Sequence, residues 1–265
     1  MYSPFQLAKK YFEYYLKASN GKGHGVHSPF VFNFITNVLN DKKHYDCYKN
    51  IEALRNNLKR DETVLIIEDF GAGSRVNAQQ QRKVSAIANS ALKPKKFGQL
   101  LYRIAQHYKP ENILELGTSL GITTSYLATG NPKAKLITME GAAAVANVAR
   151  KNFMELGLQN ISIIEGNFDN TLSATIQQLK KVDLAFIDGN HREEPTINYY
   201  HQLLNVIDDH SILIFDDIHW SKEMEAAWQH IKDDEAVTLT IDLFFIGLVF
   251  FRKENKVKQH FSIRF

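Results

Sequence analysis

The stretch NILELGTSLGIT, residues 112–123, decides the fold because it joins a short apolar run to a glycine-containing loop. The run NILEL has the length and composition of a buried strand, and ITTSYLA after the loop has those of a helix. A second short run, KLITM, then leads to Glu140. In open α/β sheets a cofactor lies at the carboxyl end of the first strand, and an acid ending the second strand can bind ribose hydroxyls. The stretch therefore predicts a nucleotide-type cofactor loop.

A rival glycine-containing stretch, DFGAGS at residues 69–74, follows the apolar run TVLIIE. The next residues, RVNAQQQRKVSAIANSA, are polar, and we expect neither a second strand nor a terminal acid there. We therefore predict that DFGAGS does not bind the cofactor. Its glycines, and the positive charge of Arg75, Arg82 and Lys83, favour either a lid on the acceptor side or a plain connecting loop over residues 69–93.

From residue 98 onward, short β-rich runs alternate with helical stretches; the runs are NILEL, KLITME, ISIIEG, VDLAFID and SILIFDD. This alternation predicts a parallel sheet covered by helices. Residues 236–253, AVTLTIDLFFIGLVFFRK, contain two further strands whose connection is too short for a parallel crossover, so they must be antiparallel. We expect an α/β protein with a Rossmann-like doubly wound sheet, mostly parallel and closed by an antiparallel C-terminal hairpin.

The first sixty residues are expected to form a helical extension. FQLAKKYFEYYLKA mixes aromatics and lysines at roughly helical spacing, and Ser28 before Pro29 is typical of a helix start. The first helix either packs on the main domain or lies on a membrane surface as a basic amphipathic helix. The predicted organisation is an extension over residues 1–60, a connecting or lid segment over 61–94, and the main domain over 95–265.

Composition narrows the function classes. The chain has 265 residues and a net charge of +3, too small an excess to indicate a nucleic-acid partner, which needs a clustered basic face. Cys47 is the single cysteine, which rules out an intrachain disulfide and favours a reducing compartment. No apolar run approaches the roughly 18 residues of a membrane span. We expect a cytoplasmic protein with no membrane span.

The ordered set of motifs resembles the class I S-adenosylmethionine-dependent methyltransferases, in the branch of catechol and caffeoyl-CoA O-methyltransferases. The resemblance rests on ILELGTSLGIT, on Glu140, on Gly98-Gln99 in the upstream helix, and on the terminal hairpin, and it covers residues 95–252 or so. It implies S-adenosylmethionine as cofactor and a sheet with strand order 3-2-1-4-5-7-6, in which the seventh strand is inserted antiparallel beside the sixth.

The same resemblance implies a set of cofactor contacts: Glu115, Gly117, Thr118, Ser119, Gly121, Glu140, Asn167, Phe168 and Asp188. Glu115 and Gly117 are expected beside the amino-acid part of the cofactor, with Gly121 permitting its close approach. Glu140 is expected to accept hydrogen bonds from the ribose hydroxyls, and residues 167–168 are expected to border the adenine.

Acidic residues end two of the predicted strands. VDLAFIDGNH ends its strand in Asp188, and SILIFDDIHW ends the next in Asp216 and Asp217. Ligands bind at this edge of such sheets, and three converging carboxylates would repel one another unless a cation neutralised them. Oxygen ligands suit Mg²⁺. The resembled family holds Mg²⁺ with the first Asp and an Asp-Asn pair on the following strand. Here the pair is Asp-Asp, which also resembles metal-dependent methyltransferases of sugar hydroxyls. Alternatively, Asp216 or Asp217 caps the next helix.

His191 lies three positions after Asp188, where catechol O-methyltransferase carries a lysine general base. A histidine titrates near neutral pH and can take that part, so we expect His191 and Asp188 to be catalytic. The alternative is a surface histidine that follows a tight turn. His219 and Trp220, just past the acidic pair, are candidates for lining the acceptor pocket.

The function that best accounts for these features is methyl transfer from S-adenosylmethionine to a hydroxyl of a small molecule, assisted by Mg²⁺. Other classes stay open: a metal-independent or nucleic-acid methyltransferase, an NAD-dependent oxidoreductase, or a cofactor-binding domain without activity. LGTSLG lacks the G-x-G-x-x-G spacing of a dinucleotide loop, and the chain has no PP pair of the kind found in base N-methyltransferase motifs. A homodimer is left open.

Overall fold

The alternating runs form the α/β architecture that they predict. A computed structural model describes residues 1–68 and 79–265 of the chain. DFGAGS and Arg75 lie outside the described residues, so the predictions that concern them stay predictions. The chain divides into two compact units, Asp41–Leu172 and the combination of Met1–Asn40 with Ser173–Phe265. The domain boundaries drawn at residues 60 and 94 remain predictions.

The strands follow the apolar runs of the sequence. In chain order they are β1 (Val64–Glu68), β2 (Gln79–Lys83), β3 (Asn112–Leu116), β4 (Lys135–Glu140), β5 (Ile161–Glu165), β6 (Leu184–Ile187), β7 (Ile212–Asp216), β8 (Leu239–Asp242), β9 (Ile246–Phe250) and β10 (Gln259–Ser262). The helices are α1 (Pro4–Lys17), α2 (Pro29–Phe34), α3 (Asp46–Leu58), α4 (Val84–Ala91), α5 (Lys95–Tyr108), α6 (Ile122–Gly130), α7 (Ala143–Glu155), α8 (Phe168–Leu179), α9 (Glu193–Leu204) and α10 (Lys222–Asp233).

Apart from β1 and β2, the strands run mostly parallel. Their order is β5-β4-β3 in one unit and β6-β7-β9-β8-β10 in the other. Strand β9 is antiparallel to both of its neighbours, as the tight hairpin requires, and the other paired strands within each unit are parallel. The predicted order 3-2-1-4-5-7-6 matches β3 to β9 but omits β10, which pairs with β8. Its sequence QHFS is short and half polar, so no apolar run marks it.

Residues 79–91 are more regular than the predicted lid or connecting loop. The polar run QQQRK forms β2, antiparallel to β1, where we expected no strand. Val64 and Ile66 of β1 are 50% and 57% exposed, so this two-stranded ribbon has a solvent face on which polar side chains cost little. Helix α4 follows and buries Val84, Ile87 and Ala88 at helical spacing. The backbone ladder therefore forms without the apolar alternation by which strands are recognised.

Helix α1 begins at a capping box. The Ser3 hydroxyl accepts the Gln6 N–H, and the Gln6 side chain accepts the Ser3 N–H. One face of the helix packs within its own unit, where the Tyr11 ring meets the Phe244 ring edge-on at 5.0 Å. Phe12 lies on the other face and is 62% exposed. Within residues 1–68 and 79–265, no helix combines the length and the apolar character that a membrane crossing needs.

Gly98 of α5 allows this helix to pack closely against α6. A Cβ at Gly98 would lie 2.5 Å from Cδ2 of Tyr126, whose ring is fully buried and whose hydroxyl donates to Glu52 Oε1 at 2.7 Å. The ring is held at both ends and cannot move aside. A glycine at this position of the upstream helix is therefore required by packing within the unit.

We expect Gly98→Ala to lower the free energy of unfolding by about 1–3 kcal/mol, because overpacking against Tyr126 outweighs the better helix propensity of alanine. Urea unfolding measures the change. Gln106→Ala, at an exposed position of the same helix, is the control and should stay within about 0.5 kcal/mol of the wild type. Equal stability of Gly98→Ala and the wild type would contradict the close packing.

Candidate functional site

The loop between β3 and α6 turns through backbone conformations that glycine favours. Gly117 and Gly121 have φ values of 105° and 80°, and Ser119 between them is left-handed at 47°. The Gly117 and Thr118 N–H groups both donate to the Met139 carbonyl at 3.0 Å. These bonds fix the loop against the carboxyl end of β4, the position predicted for a cofactor loop.

Glu140, the last residue of β4, holds the loop from the other side. One carboxylate oxygen accepts the Ser119 N–H at 2.8 Å, and the other accepts the Ala142 N–H at 3.0 Å. Burial raises the pKa of this carboxyl group, and the backbone donors only partly oppose that effect. A carboxylate therefore lies at the loop with both oxygens already oriented. Its proposed contact with ribose hydroxyls remains a prediction.

The Glu115 side chain is buried. It is 0% exposed, and its Oε2 accepts hydrogen bonds from Thr138 at 2.6 Å and from Thr124. The two threonine hydroxyls compensate for burying this acid within the β3–β4 region. A contact between Glu115 and the amino-acid part of a cofactor is not tested by this geometry and stays a prediction.

The structure gives Gly121 a second reason to be glycine. A Cβ there would lie 2.5 Å from the ring of Phe153 on α7, and the backbone is left-handed. Packing inside the protein thus already excludes larger residues, whatever approaches the loop from outside. The predicted adenine border, residues 167–168, lies at the start of α8, where the Asn167 side chain accepts the Asp169 N–H at 3.0 Å. Phe168 is half-buried.

The acidic cluster lies in the other unit. Asp188 follows β6, and Asp216 ends β7, its parallel neighbour. Asp188, His191 and Asp216 each offer one ligand atom, and these atoms all lie within 4.8 Å of one another. His191 Nε2 is 3.4 Å from Asp188 Oδ1, and Asp216 is fully buried. The structure therefore brings together a catalytic candidate and two of the three predicted metal ligands.

Asp217 differs from the prediction. Among the described residues, the group that meets this distance contains His191 in its place. Neighbouring residues at a strand end point to opposite faces, so Asp216 and Asp217 are not equivalent ligands. The Asp217 backbone is left-handed with φ of 52°, and its N–H donates to the Phe245 carbonyl at 2.7 Å. The geometry adds His191 to Asp188 and Asp216 as a possible ligand, and the predicted set of Asp188, Asp216 and Asp217 stays a prediction.

His219 was expected to line an acceptor pocket but lies in a polar network that the sequence did not suggest. Its Nε2 is 2.8 Å from Asp242 Oδ2, and its Nδ1 is 3.1 Å from Glu225 Oε1. Burial lowers the pKa of His219, but the two carboxylates raise it by more, so the net shift is upward. Trp220 is half-buried, and its carbonyl accepts the Tyr2 N–H at 3.0 Å. The partners are remote in sequence, so no local pattern indicates them.

Comparison with known proteins supports the resemblance. A family model described as a methyltransferase domain matches residues 114–218. A catechol O-methyltransferase of Niastella koreensis is 31% identical over 124 residues, which are 46% of this chain and 55% of that protein. Over residues 114–218 the chain is therefore similar to methyltransferase domains, and the relatives that it matches include catechol O-methyltransferases. The matched residues include both the glycine loop and the acidic cluster.

Other relatives agree on the fold. A catechol O-methyltransferase of Mycobacterium tuberculosis is 24% identical over 159 residues, 59% of this chain and 69% of that protein. A methyltransferase of Podospora anserina with bound S-adenosylhomocysteine has a TM-score of 0.60 at 15% identity, covering 85% of this chain and 97% of that one. A Bacillus cereus O-methyltransferase in complex with S-adenosylhomocysteine has a TM-score of 0.53 at 18% identity, covering 83% of this chain and 97% of that one. The chain spans about half the length of the Niastella relative.

Glu225 gives the network around His219 a pH dependence. Burial raises the pKa of Glu225, but hydrogen bonds from Tyr2, Lys10 and His219 lower it to a net value below the ordinary 4.5. A depressed folded-state pKa adds stability above the unfolded-state pKa, and this stability is lost as the pH falls through the folded-state value. With 27% of the side chain exposed, solvent screens part of the effect.

We expect Glu225→Gln to lower the free energy of unfolding by about 1 kcal/mol at pH 7, and the difference from the wild type to shrink as the pH falls below about 4.5. Urea unfolding between pH 3 and pH 7 measures it. Glu13→Gln is the control, because Glu13 has only a distant surface contact, 3.9 Å from Lys9. A difference that is constant over this pH range would show that the charge of Glu225 is not stabilising.

Proposed function

We propose that the chain is an S-adenosylmethionine-dependent O-methyltransferase that acts on a hydroxyl of a small molecule with the help of a divalent metal ion. The observation that carries the proposal is the Asp188, His191 and Asp216 group in a domain whose glycine loop is held by Glu140. The names of the catechol O-methyltransferase relatives support an oxygen acceptor.

The residues around the glycine loop suit the cofactor. S-adenosylmethionine supplies an electrophilic methyl group on a sulfonium centre. Each oxygen of Glu140 already accepts one backbone N–H, and a carboxylate has further lone pairs with which to accept the ribose hydroxyls. The half-buried Phe168 ring offers an apolar surface for the adenine.

The donor set of the acidic cluster fits a divalent cation. Two carboxylates and one imidazole suit Mg²⁺ or Mn²⁺, and the nitrogen extends the range to Fe²⁺ and Zn²⁺. An ion bound there supplies positive charge that lowers the pKa of an acceptor hydroxyl. Asp188 and Asp216 would hold it. Asp216 is fully buried, and a cation bound to it would lower the cost of burying its charge.

We propose that His191 takes the proton from the acceptor hydroxyl. Its side chain is partly exposed, so it can meet a substrate, and Asp188 Oδ1 lies 3.4 Å from its Nε2. The aspartate would orient the imidazole and stabilise the imidazolium that forms when the proton is taken. A nitrogen that binds a metal ion cannot accept a proton at the same time. If a His191 variant loses metal binding, His191 is a metal ligand rather than the base.

No specific observation favours a nucleic-acid substrate, an oxidoreductase or an inactive cofactor-binding domain. The cytoplasmic location and the homodimer remain predictions. The acceptor class is best approached from the two families that the acidic residues resemble. Catechols and vicinal sugar diols both present two adjacent hydroxyls, and together they make a suitable panel of test acceptors.

Glu140→Ala should weaken S-adenosylmethionine binding by about 1–3 kcal/mol, because ribose hydroxyls and two backbone N–H groups lose their acceptor. Isothermal calorimetry measures the affinity, and thermal melting checks that the variant is folded. Glu165→Ala is the matched control: Glu165 ends the neighbouring strand in register with Glu140 but pairs with Arg150 at 2.6 Å. Unchanged affinity in Glu140→Ala would rule out Glu140 as the ribose ligand.

Removal of divalent ions with a chelator should abolish methyl transfer to the acceptor panel, and Mg²⁺ or Mn²⁺ should restore it. Asp216→Asn should weaken Mn²⁺ binding, measured by electron paramagnetic resonance, at least about tenfold, because a buried ligand charge is lost. Calorimetric S-adenosylmethionine affinity should stay unchanged. Asp217→Asn is the comparison that shows whether Asp217 is also a ligand. Full activity in excess chelator would contradict the metal mechanism and leave the cofactor assignment standing.

A further inference from the structure

The four residues after Asp216, here called the 217–220 segment, connect β7 to α10. Partners outside the segment hold both of its ends. The Asp217 N–H donates to the Phe245 carbonyl at 2.7 Å, and the Trp220 carbonyl accepts the Tyr2 N–H at 3.0 Å. Tyr2, just before α1, and Phe245, between β8 and β9, therefore fix the path of the segment as it leaves the candidate metal cluster.

The His219 ring is the main anchor of the 217–220 segment. Both of its nitrogens are bonded, Nε2 to Asp242 at 2.8 Å and Nδ1 to Glu225 at 3.1 Å. One face of the ring stacks on Phe244, with ring centroids 5.1 Å apart and planes 27° from parallel. A ring with two hydrogen-bonded nitrogens and a stacked face has little rotational freedom. The positions of Asp242 and Glu225 thus determine where the segment lies.

Glu225 connects this anchor to α1. The Tyr2 hydroxyl donates to Oε2 at 2.6 Å, and Lys10 Nζ donates to both carboxylate oxygens, at 2.9 and 3.0 Å. Lys10 also lies 4.5 Å above the centroid of the Tyr2 ring. Without Lys10, two carboxylates would share the single imidazole of His219. The lysine therefore supplies the charge that lets Glu225 stay ionised while it holds the histidine.

We propose that Lys10 and Glu225 are positioning residues for the acidic cluster. Helix α1 fixes Glu225, Glu225 fixes His219, and His219 holds the 217–220 segment so that Asp216 keeps the side-chain position in which it meets Asp188 and His191. The proposal rests on the proposed metal-assisted function. It makes the N-terminal extension a part of the acceptor-side machinery, and it predicts that a surface contact of α1 affects metal affinity.

A positioning role and a purely structural role have different consequences. If Lys10 only attached α1 to its unit, its loss would lower stability and leave the metal affinity of the folded protein unchanged. If Lys10 acts through Glu225 and His219, the folded variant should bind metal more weakly, because residues that orient metal ligands typically contribute 10–100-fold to affinity. Metal affinity measured well below the unfolding temperature separates the two.

The experiment compares Lys10→Met with Lys9→Met in the full chain. Lys9 is the next residue along the chain, is 72% exposed, and lies 3.9 Å from Glu13 rather than beside Glu225. Mn²⁺ affinity is measured by electron paramagnetic resonance and S-adenosylmethionine affinity by calorimetry. We expect Lys10→Met to weaken Mn²⁺ binding about tenfold without changing S-adenosylmethionine affinity. Lys9→Met should match the wild type, and Lys10→Arg, whose guanidinium can donate to both oxygens of Glu225, should restore binding.

The outcomes separate this inference from the proposed function. Wild-type protein that binds no Mn²⁺ would overturn the metal site and this inference with it. Wild-type protein that binds Mn²⁺ while Lys10→Met binds it equally well would overturn the positioning role alone. If Lys10→Met does not fold, Glu225→Gln is the second variant, since it keeps the shape of the side chain while it removes the charge and one of the two acceptor oxygens. Equal Mn²⁺ affinity in Glu225→Gln and the wild type would then overturn the inference.

Discussion

A parallel sheet that is covered on both faces leaves room for charge mainly at the ends of its strands, and the sites of this protein depend on that constraint. Glu140 is the last residue of β4, and Asp216 is the last residue of β7. Each follows a run of mostly apolar buried residues, so its carboxylate lies at the edge of the core, where the strand ends. The exception, Glu115, lies inside β3 and is accommodated by the hydroxyls of Thr124 and Thr138. The positions of the glycine loop and of the acidic cluster therefore follow from where the buried strands of each unit end.

The features of the fold that could be predicted from the sequence are those with a short-range pattern. The order of β3, glycine loop, α6, β4 and Glu140 was readable because each part has its own local signature, and the antiparallel β8–β9 hairpin followed from the length of its connection. Strands β2 and β10 were missed because their polar residues, such as Arg82 and Gln259, lack the apolar alternation of a half-buried strand. Their existence depends on a backbone partner elsewhere in the chain.

Site residues follow the same division. Asp188 and Asp216 were predictable because parallel neighbours end at one edge of their sheet. His191 was predicted as a base but not as a neighbour of both aspartates, and Asp217 was predicted together with Asp216 because a sequence does not show which side of a strand end a residue faces. The bonds of His219 with Asp242 and Glu225 had no signal at all, since they link residues of separate elements through side-chain geometry.

The bonds that hold the glycine loop also bear on the entropy of ligand binding. A loop with Gly117 and Gly121 would ordinarily lose much backbone freedom when a ligand orders it. Here the Met139 carbonyl and the Glu140 carboxylate fix three of its N–H groups through bonds within the protein. The ordering cost is therefore met during folding, and a ligand that fits the loop encounters a rigid, preorganised surface. Such a surface favours tight binding of a molecule with the matching shape and gives little adaptation to molecules of a different shape.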